Sequence, residues 1–235
     1  MKPARSVPLL AVLSGRAVPY TRPGTSSAIA KRPFSGPVRV TVEGLVGDEQ
    51  GDRRVHGGPD KAVHHYPFDH YTWWRGELDD AVLLNSPGAF GENLSTIGWT
   101  EDDICLADVV RIGTALLEVS QGRQPCWKLN DRFGDPRVAR RMQHSGRTGW
   151  YYRVLEEGDI VAGDTMELVE RRHPDWSIRR LSDLLFNRTL DRDWLQDAAQ
   201  LPLPPSWRKL IEHRLAHAAV ESWERRLHGP ERIDD

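Results

Sequence analysis

Val109-Val110-Arg111-Ile112-Gly113-Thr114-Ala115-Leu116-Leu117-Glu118-Val119 consists of two short apolar runs joined by a Gly-Thr pair. This is the pattern of a β-hairpin: β-branched residues suit extended backbone, and the glycine supplies a tight turn. The same pattern recurs on both sides. Ser6–Ser14 (SVPLLAVLS) is an apolar run closed by Gly15, and residues 38–42 (VRVTV) alternate apolar and polar with period two. Residues 150–155 and 165–169 read as two more strands, separated by a Gly158-Asp159 turn. Short strands at irregular spacing with glycine turns predict a β-rich barrel up to about Glu170.

Between these strands, residues 18–35 are rich in Pro, Gly, Thr and Ser and read as a long loop, while residues 68–78 and 136–143 read as short helices. After Arg171 the period changes. Ile178, Leu181, Leu184 and Leu185 follow Ser177 at helical spacing, and Ser177 is a good N-cap. A second helix is expected over residues 191–199 with Asp191 as its cap. Residues 201–205 (LPLPP) break the chain, and Ser206 opens a third helix. Leu210, Ile211, Leu215, Ala218, Ala219 and Trp223 would form its apolar stripe, and Gly229-Pro230 would stop it. The expected fold class is therefore mainly β with α: a barrel domain over residues 1–170 and a three-helix module over residues 171–235.

Composition narrows the function classes. The 235 residues carry 32 basic and 34 acidic side chains, a net charge of -2, which argues against a protein that binds bulk polyanions such as nucleic acid. No apolar run approaches the length of a membrane span, and the apolar stretch at residues 7–13 lacks a cleavage site. Two cysteines are too few for a disulfide framework. These features predict a cytoplasmic protein with free thiols.

Two stretches carry chemistry. The first, GDEQGDRRVHGGPDKAVHHY at residues 47–66, sets Arg53, His56, Lys61, His64 and His65 on a glycine-rich segment entering a strand. Backbone N–H groups in such a loop, with Lys61 and Arg53 beside them, suit a phosphate or similar anion, although no Gly-Lys-Ser/Thr closes a Walker loop. The second, SQGRQPCWKL at residues 120–129, places Cys126 after a proline, at the end of a predicted strand, between Arg123 and Lys128. Two nearby cations suit a reactive or metal-ligating thiolate. Cys105 sits among apolar neighbours and reads as a core residue. Trp127 is a candidate flat wall for a planar ligand. His56, His64, His65 and His70 match no standard zinc spacing, and adjacent His64 and His65 on a strand point to opposite faces. A Cys–His hydrolase pairing Cys126 with His56 or His65 is open on residue types, without a supporting signature.

The glycine-rich run, GAFGENL at residues 88–94, SQGRQPCWKL and GWYYRVLEEGDIVAGD at residues 149–164 occur in one order. Together they resemble the MOSC-domain family and, within it, the bacterial YiiM-type proteins; the tail resembles their additional three-helix module. The resemblance implies a MOSC-type β-barrel that binds molybdenum cofactor, with Cys126 as catalytic residue and molybdenum ligand. Arg53, Lys61, Arg123 and Lys128 are then the cations for its phosphate and dithiolene, and His56, His65 and Asn93 further cofactor-binding candidates. The family is also associated with pyridoxal phosphate binding. The resemblance further implies reduction of N-hydroxylated bases such as 6-N-hydroxylaminopurine. Electrons would come from a separate reductase, because no flavin or nicotinamide fingerprint is present. A homodimer stays open. The competing readings are a non-catalytic carrier of molybdenum cofactor or sulfur, and a β-barrel binding module. The helical tail is expected to shape substrate access and perform no chemistry.

Overall fold

The hairpin of residues 109–119 is the centre of a closed barrel. The computed structural model describes residues 5–51, 57–78 and 82–230. Seven strands form the barrel: β1 Ser6–Ser14, β2 Val63–His65, β3 Leu94–Thr96, β4 Val109–Ile112, β5 Ala115–Gly122, β6 Trp150–Glu156 and β7 Thr165–Glu170. The order around it is β7-β4-β5-β6-β2-β3-β1, and β1 closes onto β7 with Val7 opposite Met166. All pairs are antiparallel except β2 and β3, which run parallel through His65 and Leu94. Closure leaves no free sheet edge, which a seven-strand sheet would otherwise have to protect. Inward side chains such as Leu9, Val63, Leu94, Val110, Leu117 and Tyr152 fill the interior.

Residues 38–42 do form a strand, Val38–Thr41, but it lies outside the barrel. It belongs to a small sheet with Gly44–Leu45 and Gly158–Ile160. The expected Gly158-Asp159 turn is therefore a strand segment: Gly158 opposes Val40 and Ile160 opposes Val38. Glycine there answers to close approach, since a Cβ would lie 2.3 Å from the Ala115 nitrogen. Residues 18–35 are mainly irregular, with two-residue strands at Val18–Pro19, Ser26–Ser27 and Arg32–Pro33.

Seven α-helices complete the described residues: α1 Asp69–Glu77, α2 Trp127–Phe133, α3 Val138–Ser145, α4 Ile178–Phe186, α5 Arg192–Ala199, α6 Pro205–His217 and α7 Glu224–His228. Ser177 and Asp191 cap α4 and α5, accepting from the Arg180 and Trp194 amides. The α2 helix has no counterpart in the sequence pattern; it puts Cys126 at a helix N-cap rather than a strand end. The third tail helix stops at His217, earlier than its apolar stripe suggests, and Ala218 and Ala219 are exposed. Ala218 ends it in the left-handed conformation at φ 48°, and the last turn carries Arg214. It is buried and donates to the Leu184 and Leu185 carbonyls at the end of α4, while Glu221 accepts from its Nε and Nη2. Those contacts satisfy orphan carbonyls at the end of α4. Ile178, Leu181, Leu185, Trp207 and Ile211 share one apolar core with the barrel, so the tail covers the barrel wall. No helix among the described residues is long and apolar enough to cross a membrane.

Candidate active site

An open cavity lies beside the barrel where the loop ends gather. Its lining includes Ser27, Lys31 and Asp48 from the early loops, Lys61 and His64, and Phe90, Gly91 and Asn93. Arg123, Cys126, Lys128 and Tyr151 complete the lining. The two chemistry-bearing stretches, far apart in sequence, therefore meet in one place: Lys61 and Cys126 line the same cavity. Arg53 and His56 lie outside the described residues. Gly44, Gly47 and Gly58 take positive φ in the loop leading to Lys61, the conformational freedom that the glycine-rich pattern suggests.

Each cation has its own support. Arg123 is buried; its amide donates to the Gly149 carbonyl at 3.0 Å and its Nη1 to the Phe90 carbonyl at 2.9 Å. Lys128 Nζ donates to the Ser26 carbonyl at 2.6 Å. These contacts hold a guanidinium and an ammonium in place without themselves neutralising either. Lys61 leaves a 3-10 turn, Pro59–Lys61. Burial lowers it to about 8; Arg226 adds to the shift, and Asp60 and Cys126 oppose it. Lys31, which no sequence motif marks, is buried against Asp48 at 2.5 Å. Burial pulls Lys31 below the ordinary lysine range while Asp48 resists.

His65 does not reach the cavity. Its side chain turns into the barrel, with Nδ1 3.1 Å from the Tyr152 hydroxyl, Nε2 2.8 Å from Thr96 Oγ1, and its ring against Trp150. The neighbour His64 faces the cavity instead, because alternate strand residues point to opposite faces. His64 Nδ1 lies 3.1 Å from the Gly91 carbonyl, an acceptor only, so that nitrogen carries the proton. Burial, aided by Arg123, holds the ring neutral by pushing it well below the ordinary histidine range. Its Nε2 is buried and has no hydrogen-bond partner among the described residues. That leaves a buried acceptor packed near Gly149, where a Cβ would lie 3.3 Å from it.

Asn93 lines the cavity but spends its amide on the protein. Nδ2 donates to the Leu13 carbonyl at 3.1 Å and to Asp48 at 2.8 Å, and Oδ1 accepts from the His64 amide at 3.1 Å. It braces the wall between His64 and Asp48. Trp127 likewise departs from expectation: its ring lies under Arg22, 4.2 Å away, and beside Tyr20, outside the cavity lining. Tyr151 and Phe90 supply the aromatic surface there. Cys105 is outside the cavity and buried, its thiol against the Pro174 carbonyl and pushed up to about 11 by burial. Tyr151 and Lys31 have no local sequence signal that would mark them as cavity residues.

A closed mixed barrel with a tail of helices, and a cavity joining one cysteine to several cations, is the arrangement that the MOSC resemblance implies. The MOSC domain model matches residues 52–167, and the YiiM-like 3-alpha helix domain matches residues 176–218. The chain is 38% identical to protein YiiM of Escherichia coli (strain K12) over 219 residues, covering 93% of this chain and 97% of that one. It belongs to the YiiM family of MOSC-domain proteins. The crystal structure of the Escherichia coli YiiM superposes with a TM-score of 0.80 at 32% identity, covering 95% of this chain and 99% of that one. That of YiiM from Geobacillus stearothermophilus gives 0.76 at 32% identity, over 89% and 99%. A protein of Gibberella moniliformis named "Reductase" is 40% identical over 194 residues, 82% of this chain. The match spans 34% of that longer protein.

Proposed function

We propose that the chain is a molybdenum-cofactor-dependent reductase of N-hydroxylated bases such as 6-N-hydroxylaminopurine. The observation that carries this reading is the meeting of Cys126, Lys61, Arg123 and Lys128 in one cavity. This donor set fits the cofactor: a soft thiolate suits a soft metal centre, and the cations suit a dithiolene and a phosphate. Membership of a MOSC family and the relative named "Reductase" support an oxidoreductase.

Cys126 Sγ would ligate the metal, and Arg123 and Lys128 would hold the anionic parts of the pterin. When bound, the molybdenum centre supplies the two-electron reduction. Overall, R–NHOH takes up two electrons and two protons and yields R–NH2 and water, the electrons coming from a separate reductase protein. The planar base would lie against Tyr151 or Phe90. Lys61 Nζ, lowered to about 8, holds a transferable proton at neutral pH.

Full-length protein produced in cofactor-replete cells should retain molybdenum, measured by mass spectrometry. With an artificial low-potential reductant it should convert 6-N-hydroxylaminopurine to the 6-amino base. Retained metal without turnover would replace this reading with the carrier reading. Absence of metal would end both.

A further inference from the structure

The α6 helix turns Trp207, Ile211 and Arg214 inward and leaves another face to solvent. On that face, in the last two turns, stand His213 and His217, both exposed and four residues apart. Residues at i and i+4 are neighbours on a helix surface, with Cβ atoms about 5–6 Å apart. The two rings are stacked, their centroids 4.4 Å apart and their planes 28° from parallel. Neither histidine lines the Cys126 cavity.

His213-Arg214-Leu215-Ala216-His217 has the histidine spacing of a zinc-binding HExxH helix, with an arginine where that motif carries its glutamate. The spacing is what ligation needs. Two nitrogens bonded to one zinc ion at about 2.0–2.1 Å lie no more than about 4 Å apart, and the broad χ2 of histidine lets neighbouring rings aim at one point. The glutamate of the motif is a general base rather than a ligand, so its replacement removes hydrolytic chemistry and leaves binding. Arg214 does not oppose an ion there: its guanidinium points to the core, on the Leu184 and Leu185 carbonyls, and pairs with Glu221 at 2.7 Å.

The tautomer is set as well. His217 Nδ1 lies 2.9 Å from the His213 carbonyl, an acceptor only, so Nδ1 carries the proton. In the neutral ring the lone pair is then on Nε2. A metal-ligating histidine is held by this kind of bond, from its other nitrogen to a backbone carbonyl. No hydrogen bond among the described residues engages the His213 ring or His217 Nε2. We propose that His213 and His217 form a two-histidine site for a divalent first-row transition ion such as zinc or copper, on the outer face of the helical tail. Among the described residues no third His, Cys, Asp or Glu completes a cluster, so water fills the remaining positions.

The test is calorimetric titration of zinc chloride into untagged, metal-free, full-length Cys126→Ala protein, in which the cavity thiol does not compete. One ion per chain should bind saturably at neutral pH. His213→Ala and His217→Ala should each weaken binding ten-fold or more. Both positions are exposed, so the Tm without metal should stay within about 2 °C. His144→Ala removes an exposed histidine elsewhere and should change binding less than two-fold. Copper(II) should bind more tightly than zinc, and its paramagnetic resonance spectrum should show splitting from two imidazole nitrogens. No saturable binding, a loss in His144→Ala as large as in the tail variants, or a loss in only one of the two tail variants would overturn the proposal. So would a copper spectrum that His213→Ala/His217→Ala leaves unchanged.

Discussion

Acid should unfold this protein through His65, and His65→Gln should remove part of that sensitivity. The imidazole is fully buried in the barrel between Tyr152, Thr96 and Trp150. Burial lowers it from 6.5 to about 3, with His70 adding to the shift and Glu101 opposing it. The unfolded chain takes up this proton near 6.5 and the folded chain only near 3, so stability is complete above 6.5 and falls with pH below it. The loss is about 1.4 kcal/mol per pH unit, or about 2 kcal/mol at pH 5. At about 2–4 °C per kcal/mol for a chain of this size, that is a fall in Tm of about 4–8 °C. His64 is shifted in the same direction and steepens the wild-type curve further. His65→Gln should be less stable at pH 7.5 by about 1–3 kcal/mol, because a buried pair of hydrogen bonds is disturbed. Between about pH 6.5 and 4.5 its stability should decline more slowly, by about one proton's worth of slope. Urea unfolding followed by the fluorescence of the nine tryptophans gives both curves. Parallel curves for the two proteins would show that His65 is not the buried neutral group described.

The remaining expectations concern the cavity wall and its supports. Lys31→Met takes the ammonium from the buried Asp48 carboxylate and leaves it the neutral donors Gly15 N–H and Asn93 Nδ2, at a cost of about 3–5 kcal/mol; Lys31→Met/Asp48→Asn should recover part of it in urea unfolding. Gly149→Ala places a Cβ 2.3 Å from the His65 carbonyl at φ 70°, so it should cost about 3 kcal/mol or more and lower soluble yield. Cys126→Ala should keep its Tm within about 2 °C and lose at least ten-fold in molybdenum content. Cys105→Ala should keep its metal and lose about 1 kcal/mol of stability; equal metal loss in both cysteine variants would remove Cys126 as the ligand.

The readable part of this protein is the part written in neighbouring residues. Alternation in residues 109–119, the Ser177 and Asp191 caps, and the breaking LPLPP segment each act through contacts within a few positions, so local pattern suffices to place β4, β5, α4 and α5. The family motifs likewise single out Lys61 and Cys126 by sequence alone. Tertiary structure decides what those residues face. Sequence shows that His64 and His65 point opposite ways, but only barrel closure makes His65 the interior face and His64 the cavity face. Asn93 carries the same amide in any fold; its use as a brace depends on Leu13, Asp48 and His64 arriving from three separate segments. Arg214 and Arg226 look alike in a tail rich in charge. One ends in the core because the last carbonyls of α4 need donors, and the other precedes residues 227–230, which Arg22, Asn130 and Trp127, all far earlier in the chain, seat on α2. Such contacts carry no local signature, since the energy that selects them belongs to pairs of residues that meet only once the barrel has closed.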